Sequence, residues 1–208
     1  MTLTQSSLQN LQQTIKGCRD CELGCTEADG RYYAPTPPSG PITAEIVVIG
    51  RNPGQVEERL GQPMLGPAGM IFTQFLDLCE VPRDSVYFTN LAMCFANKGR
   101  VPTADEYDSC TKWKKLEFAL LKPKLVILLG NDVMHYFYPS RYPTSVLAHL
   151  GEHWKGFEKP GYEGNFKVIA FPHPGYYLNN KEKISVEWGV ASTIVKTLVR
   201  ILDIKTGT

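Results

Sequence analysis

The sequence predicts a three-layer α/β/α fold in which helices cover both faces of a central four-stranded parallel sheet. Short apolar runs alternate along the chain with segments of helical spacing. The runs are apolar throughout and do not alternate with polar residues, which is typical of parallel strands that are buried on both faces. The length of 208 residues fits one domain spanning residues 1–208.

Four strands and five helices account for most of the chain. Strands are predicted at residues 45–49, 86–88, 125–129 and 167–171. Helices are predicted at residues 4–16, 68–79, 103–121, 132–138 and 185–204. Thr103 followed by Glu106 is the pattern of a capping box, which fixes the start of the third helix. Residues 30–43 are interpreted as an extended loop, and the Gly/Pro-rich residues 50–69 as a long loop of the kind that is usually functional.

Composition and charge exclude several classes of protein. The formal net charge is +1 and the pI is near 7.6, so composition gives no support to a basic nucleic-acid-binding domain. Net charge averages over faces, however, and leaves room for a local basic groove. No apolar run approaches the roughly 18 residues that a membrane span needs, and the N-terminus lacks the basic start and apolar core of a signal peptide. We therefore expect a cytoplasmic protein with no membrane partner.

The cysteine spacing indicates a metal site. Cys18 and Cys21 are separated by two residues and can reach one metal, Cys94 follows the second strand, and Cys110 lies in the next helix. Four such thiolates suit zinc or an iron–sulfur cluster, and spacing alone neither chooses between them nor excludes buried free thiols. The remaining cysteines, at positions 25 and 79, fall outside this set, and the second shares a helix face with phenylalanines, which predicts core packing.

The loops that follow the predicted strands carry the residues suited to chemistry. Because ligands bind beyond the carboxyl ends of parallel strands, the segments GRNPG, TNLAMC, GND and HPGYY should converge on one crevice. Asn52 offers both a donor and an acceptor, and His173, held between two prolines, could donate a hydrogen bond to a developing anion. Aromatic, amide and lysine residues at 176–183 suit contact with a nucleic acid. Each feature also has an ordinary interpretation: a strand-exit turn, a structural histidine and a solvated loop.

Several ordered motifs resemble those of one enzyme family. The motifs are Cys18-x2-Cys21, GRNPGQVEE followed by GQPMLGPAG, TNLAMC at 89–94, Arg100-x-Pro102, Glu106-x3-Cys110, KPKLVILLG at 122–130 and HPGYYL at 173–178. With them, about residues 8–200 resemble the iron–sulfur uracil-DNA glycosylases, family 4 of the uracil-DNA glycosylase superfamily. The resemblance implies the fold of that superfamily, which agrees with the four-stranded sheet predicted above.

The resemblance also implies a cofactor and a substrate. Cys18, Cys21, Cys94 and Cys110 would bind a [4Fe–4S] cluster with a structural role, and zinc is the less favoured metal. The substrate would be DNA that contains uracil or a related modified pyrimidine, with the base flipped out of the stack into the crevice. The enzyme would hydrolyse the N-glycosidic bond and leave an abasic site for base excision repair. We expect it to act as a monomer.

The same resemblance assigns roles to individual residues. His173 would stabilise the anion of the leaving base, Asn52 would position the attacking water, and Asn90 would read the base edge. The substrate-binding residues would be Gly50, Arg51, Pro53, Gly54, Met64 and Asn90.

Two positions depart from the family pattern. Arg51 stands where family 4 has an acidic residue, and Asn52 after it is similar instead to the Asn-Pro-Gly turn of the mismatch-specific and single-strand-selective branches. Met64 stands where an aromatic residue would stack on uracil, and methionine stacks less well. Arg51 could pair with a DNA phosphate or block the pocket.

Two alternative functions follow from these observations. Because Arg51 and Met64 replace expected pocket residues, one alternative is a glycosylase-fold protein that binds modified or damaged DNA without cleaving it. The other rests on the cysteines alone and is a zinc or iron–sulfur scaffold or redox protein unrelated to DNA. This second alternative leaves the other motifs unexplained.

Overall fold

A five-stranded sheet forms the centre of the computed structural model, which describes residues 5–24 and 33–206. The strands are β1 (Ile46–Gly50), β2 (Val86–Asn90), β3 (Leu125–Leu129), β4 (Trp154–Lys155) and β5 (Lys167–Phe171). Their order across the sheet is β2-β1-β3-β5-β4. The four predicted strands are confirmed and pair in parallel, whereas β4 is an additional strand that pairs antiparallel with β5. With two residues, β4 is too short to give a periodic signal in the sequence.

Six α-helices accompany the sheet in the described ranges. They are α1 (Gln5–Lys16), α2 (Gln55–Leu60), α3 (Pro67–Leu78), α4 (Ala104–Leu121), α5 (Asn131–Phe137) and α6 (Ile184–Ile201). The five predicted helices are confirmed with small shifts at their ends. Helix α2 corrects the interpretation of residues 50–69 as a loop, because six residues between Gly54 and Gly61 are too few to show a helical repeat. None of these helices is both long and apolar enough to cross a membrane.

The parallel register brings the strand ends to one edge of the sheet. Gly50 pairs with Asn90, and Leu129 pairs with Phe171. The N–H of Gly130 donates to the carbonyl of Phe171 at 2.8 Å, which continues the pairing one residue beyond β3. The loops after β1, β2, β3 and β5 therefore leave the sheet side by side, as the sequence predicted.

Two hydrophobic cores lie on opposite faces of the sheet. Val47 and Ile49 of β1 belong to one core, and Ile46 and Val48 belong to the other. Helices α4 and α5 pack on the first face, and α3 and α6 pack on the second. This arrangement confirms the three-layer α/β/α prediction. Every residue of β1, β2 and β3 is buried, which explains why β1 and β3 are continuous apolar runs and why β2 is apolar up to Thr89.

Three polar residues fix the start of α4. The Thr103 side chain accepts a hydrogen bond from the N–H of Glu106 at 3.3 Å, and the Glu106 carboxylate accepts one from the N–H of Thr103 at 2.8 Å. This confirms the predicted capping box. Arg100 donates to both Glu106 oxygens at 2.7 and 2.8 Å and holds the pKa of that carboxyl below its usual range. The charged pair thus braces the helix that carries Cys110.

A fully buried ion pair lies beside the end of β2. Lys114 and Glu117 of α4 have no solvent exposure, and the Lys114 ammonium contacts the Glu117 carboxylate directly. The same Nζ donates to Thr89 Oγ1 at 2.5 Å, one residue before Asn90. Because taking a charge out of water is costly, each member of the pair depends on the other. The pair therefore ties α4 to the strand end that carries Asn90.

Lys114→Met should lower the free energy of unfolding by about 3–5 kcal/mol, because it leaves the Glu117 carboxylate buried without its partner. Urea unfolding would measure the loss. The double variant Lys114→Met/Glu117→Leu should recover most of it, since both buried charges are then removed. Lys115→Met, at an exposed position on the same helix, serves as the control and should change stability by less than about 0.5 kcal/mol. Equal losses in the single and double variants would contradict this account.

Candidate active site and cysteine site

A cavity of about 210 Å³ lies at the carboxyl edge of the sheet, at the position of the predicted crevice. Its lining includes every predicted catalytic and substrate-binding residue except Gly50: Arg51, Asn52, Pro53, Gly54, Met64, Asn90 and His173. These residues come from the loop after β1, the segment between α2 and α3, the end of β2 and the loop after β5. The structure thus brings the predicted residues together, and their roles stay predictions.

Gly50 lies directly against Asn90. A Cβ added at position 50 would stand 2.5 Å from Asn90 Oδ1, which is too close for any real side chain. Asn90 is itself buried, at 3% exposure, and still lines the cavity. Glycine at position 50 therefore makes the room that lets the Asn90 amide reach the cavity between β1 and β2.

His173 lies in the cavity with a defined tautomer. Its Nδ1 accepts a hydrogen bond from the N–H of Gly175 at 3.1 Å, so a neutral ring carries its proton on Nε2. Although the side chain is exposed, the protein atoms around it lower its pKa by desolvation, and the charge of Arg51 lowers it further. The carboxylates of Glu57 and Asp132 oppose this shift. The result is a neutral histidine with one N–H available to a ligand.

Arg51 ties the loop after β1 to helix α5. Its Nε donates to Asn52 Oδ1 at 2.9 Å, and its Nη1 forms an ion pair with Asp132 Oδ2 at 2.9 Å. The Asn52 amide nitrogen donates to the carbonyl of Pro53 at 2.9 Å. Both ends of the Asn52 amide are therefore oriented by neighbours. The ion pair with Asp132 holds the Arg51 guanidinium beside the Asn52 amide. The Arg51 side chain remains 32% exposed to solvent.

Met64 forms a buried part of the cavity wall. Its φ of 58° lies in the left-handed region, which is uncommon for a residue with a side chain. Arg83 donates to the Met64 carbonyl at 2.7 Å. Gly69 of α3 packs so closely on the same carbonyl that a Cβ at position 69 would not fit. Packing from two sides thus sustains the unfavourable backbone conformation of Met64.

The cavity also contains residues that the sequence did not predict. They are Glu57, Ala68, Phe95, Ala96 and Gly99. Glu57 is a buried residue of α2, and its Oε1 accepts a hydrogen bond from the N–H of Gly66 at 2.7 Å. Glu57 lies within the motif GRNPGQVEE, but no role was assigned to it because α2 was not predicted. Phe95 and Ala96 follow directly after TNLAMC, so their position beyond a strand end was the one available signal.

None of the four predicted metal ligands is in a disulfide, and they lie on three separate segments. Cys18 and Cys21 follow α1 and are half-buried, whereas Cys94, after β2, and Cys110, on α4, are buried. Cys18 packs against a small core that contains Cys110, and Cys21 packs against the core that contains Cys94. The fold therefore gathers thiols that are distant in the sequence.

These thiols lie in one another's electrostatic field. Burial raises the pKa of Cys94, and negative charge on the other three thiols raises it further. Burial raises the pKa of Cys110 to about 11, while a hydrogen bond from the Met93 backbone and the charge of Lys114 oppose the rise. Such a set of sulfur donors suits a metal that binds thiolates. In the ranges that the structure describes, no three His, Cys, Asp or Glu side chains are arranged to hold a single metal ion.

The two other cysteines differ in position. Cys79 is buried at the end of α3 in the core that contains Phe72 and Phe75, as its helix face predicted. Burial raises the pKa of its thiol to about 12. Cys25 lies outside the described residues.

The segment after His173 keeps polar side chains in an ordered arrangement. Lys183 Nζ donates to the Tyr176 hydroxyl at 2.6 Å, and the Asn180 amide donates to the Tyr176 carbonyl at 2.7 Å. Lys181 and Lys183 are exposed. This arrangement agrees with a nucleic-acid contact and equally with a solvated loop.

Comparisons with known proteins agree with one another. A family model described as the uracil DNA glycosylase superfamily matches residues 37–193. A type-4 uracil-DNA glycosylase of Archaeoglobus fulgidus is 28% identical over 172 residues, covering 83% of each chain. One of Sulfurisphaera tokodaii is 27% identical over 183 residues, covering 84% of this chain and 77% of the relative. A type-5 uracil-DNA glycosylase of Pyrobaculum aerophilum is 31% identical over 171 residues, covering 74% of this chain and 71% of the relative.

Arg51→Gln should raise the pKa of His173, because the charge of Arg51 is one cause of its lowering and its loss leaves the nearby carboxylates unopposed. An NMR titration of the imidazole would measure the change, with His173 of the unaltered protein titrating below the ordinary 6.5. Because this folded-state pKa lies below the unfolded value, the contribution of His173 to stability is complete above about pH 6.5 and declines as the pH falls. Arg59→Gln, at an exposed arginine of α2, should leave the titration unchanged. An equal pKa in both variants would contradict the role of Arg51.

Proposed function

The chain belongs to the uracil DNA glycosylase superfamily, and from this membership we propose that it is a DNA glycosylase of base excision repair. It would hydrolyse the N-glycosidic bond of uracil, or of a related modified pyrimidine, and leave an abasic site in DNA. The observation that carries the proposal is the meeting of Asn52, Asn90 and His173 in one cavity at the ends of three strands. Relatives named type-4 and type-5 uracil-DNA glycosylases support it.

His173 would stabilise the leaving base. In the reaction, the bond between C1′ of the sugar and N1 of the base breaks, and its electron pair leaves with the base. Negative charge then builds on a base carbonyl oxygen while positive charge builds on the sugar. The N–H at His173 Nε2 is free for that oxygen, since Nδ1 is engaged by Gly175 and the lowered pKa keeps the ring neutral. A donor held in advance stabilises the transition state without reorganisation.

Asn52 would hold the water that attacks C1′. Its Oδ1 accepts a hydrogen bond from Arg51, and its second lone pair can accept a hydrogen bond from the attacking water. The water oxygen bonds to C1′, and the proton that it releases finally neutralises the base anion. Arg51 is partly exposed, so a DNA phosphate could compete with Asp132 for its guanidinium.

Asn90 would read the edge of the base. One amide can accept from the N3–H of uracil and donate to its O4 carbonyl. Cytosine presents the opposite pattern, an acceptor at N3 and a donor at the exocyclic amine, and leaves the same amide mismatched. The buried position of Asn90 makes this discrimination effective, because a buried polar group without a partner is costly.

Cys18, Cys21, Cys94 and Cys110 would hold a [4Fe–4S] cluster, with zinc the less favoured alternative. The donor set fits, because such clusters are bound by four cysteine thiolates. When bound, the cluster supplies covalent ties between segments that are distant in the sequence and takes no part in the hydrolysis. The ligands would then fix the end of α1, the segment after β2 and α4 relative to one another.

The proposed partner is DNA, bound by a single copy of the chain. Asn52, Asn90 and His173 of a single chain line one cavity, so the proposed site needs no residue from a second copy. The exposed Lys181 and Lys183 lie on the segment that follows His173 and are suited to phosphate contacts, which position DNA without reading its sequence.

His173→Ala should lower the rate of uracil release by about 100- to 1,000-fold, because it removes the donor to the leaving base. The assay uses single- and double-stranded oligonucleotides with one uracil, followed by alkali to cut abasic sites. His153→Ala is the matched control, since His153 is exposed and lies outside the cavity, and it should cleave at the unaltered rate. Binding of uracil-containing DNA without cleavage by the unaltered protein would favour the non-cleaving alternative, which rests on the departures at Arg51 and Met64.

Asn52→Ala should lower kcat for uracil release and leave the affinity for uracil-containing DNA nearly unchanged, because Asn52 is assigned to the water and not to the base. Single-turnover rates and binding of an uncleavable oligonucleotide separate the two effects. Full activity in this variant would reject the role of Asn52 and leave that of His173 standing.

Cys110→Ala should lose the iron and sulfide of the protein, because one of four ligands is removed. Iron and acid-labile sulfide are measured after anaerobic purification, together with visible absorbance. Cys79→Ala, which removes a buried thiol outside the ligand set, should keep both. Zinc in place of iron in the unaltered protein would support the alternative metal.

A further inference from the structure

Apart from His173, Phe95 is the one aromatic side chain among the described residues that line the cavity. The imidazole of His173 interacts through its ring nitrogens, since Nδ1 accepts a hydrogen bond from the N–H of Gly175. Met64 contributes a flexible thioether and no planar face. A base that has been flipped out of DNA is held both by hydrogen bonds to its edge and by stacking on its face. Among the described residues, Phe95 is therefore the side chain that can supply the face.

The burial of Phe95 differs from that of its neighbours. Residues 91–94 and Ala96 are buried, whereas Phe95 between them is half-buried and lines the cavity. A large apolar ring left open to a cavity amid packed neighbours is the ordinary condition of a ligand-binding surface. A planar base placed against it would cover the apolar area that the fold leaves in contact with water.

The ring is held in place before any ligand arrives. Tyr33, itself buried, packs edge-on against Phe95 with the ring centroids 5.3 Å apart and the planes at 65°. The backbone on the N-terminal side is pinned twice: the N–H of Ala92 donates to the Arg51 carbonyl at 2.9 Å, and the N–H of Thr36 donates to the Met93 carbonyl at 2.7 Å. A surface fixed in advance loses little conformational entropy on binding.

We propose that the flipped base stacks on the ring of Phe95, while Asn90 binds the edge of the base. The proposal rests on the proposed glycosylase function. The proposed metal ligand Cys94 directly precedes Phe95, so binding of a cluster by that cysteine would also fix the backbone next to the ring. Stacking on an aromatic ring is tolerant of base identity, so Phe95 contributes affinity for a displaced base and not the choice among bases.

The test compares Phe95→Leu, which keeps apolar bulk without a π face, with Phe95→Tyr, which keeps the ring. The probe is a single-stranded oligonucleotide with one 2′-fluoro-2′-deoxyuridine, which resists cleavage because the fluorine disfavours positive charge at C1′. Preference is the affinity for this probe relative to the same strand with unmodified thymidine. Phe95→Leu should lose about 10- to 100-fold of the preference and of kcat/KM on deoxyuridine, and Phe95→Tyr should keep most of both. Tyr142→Leu, at an exposed aromatic residue outside the cavity, should match the unaltered protein.

Iron content and unfolding midpoint are measured on each variant, so that lost structure is not mistaken for lost stacking. If the unaltered protein releases uracil and Phe95→Leu keeps the same preference for the probe, the stacking role is overturned and the proposed function stands. If the unaltered protein prefers the probe but releases no uracil, and Phe95→Leu reduces that preference, the stacking role is supported and the proposed hydrolysis is rejected. An equal drop in Phe95→Leu and Phe95→Tyr would overturn the proposal, as would an unaltered protein with no preference.

Discussion

The parallel register of β1 with its neighbours is the constraint on which the rest of the structure depends. Gly50 lies level with Asn90 on one side, and β3 runs in the same direction on the other. The loops that carry Asn52 and His173 therefore start from the same edge, and each residue needs to extend only a short distance beyond a strand to reach the cavity. A shift of the register by one residue would turn the side chains to the opposite face and separate the cavity residues.

Hydrogen bonds between charged side chains and the backbone hold the loops at the edge of the cavity in one conformation. Glu57 binds the N–H of Gly66, and Arg83 binds the carbonyl of Met64. Hydrogen bonds to charged groups are about twice as strong as those between neutral groups. They explain how loops rich in glycine and proline hold one geometry with few apolar contacts of their own. The charged residues of these loops therefore contribute to the wall of the cavity as well as to its electrostatics.

Features that depend on neighbouring residues in the sequence could be predicted, whereas features that depend on contacts between distant residues could not. The four parallel strands were predictable because burial on both faces gives each of them an apolar run of at least three residues. The positions of Asn52, Asn90 and His173 were predictable because each stands at or just beyond a strand end. Helix α2 could not be predicted, since six residues show no repeat, and Glu57 was missed with it. The pairing of Arg51 with Asp132 spans 81 positions and has no local signal.

The close approach of Gly50 and Asn90 has an evolutionary consequence. A methyl group at position 50 would stand 2.5 Å from the Asn90 amide oxygen, so any larger residue there displaces the amide. The two positions therefore change together: replacing Gly50 by a larger residue requires a shorter or displaced side chain at position 90. Any change at position 90 in descendants of this chain is thus coupled to a backbone position that has no side chain, and the two positions should covary.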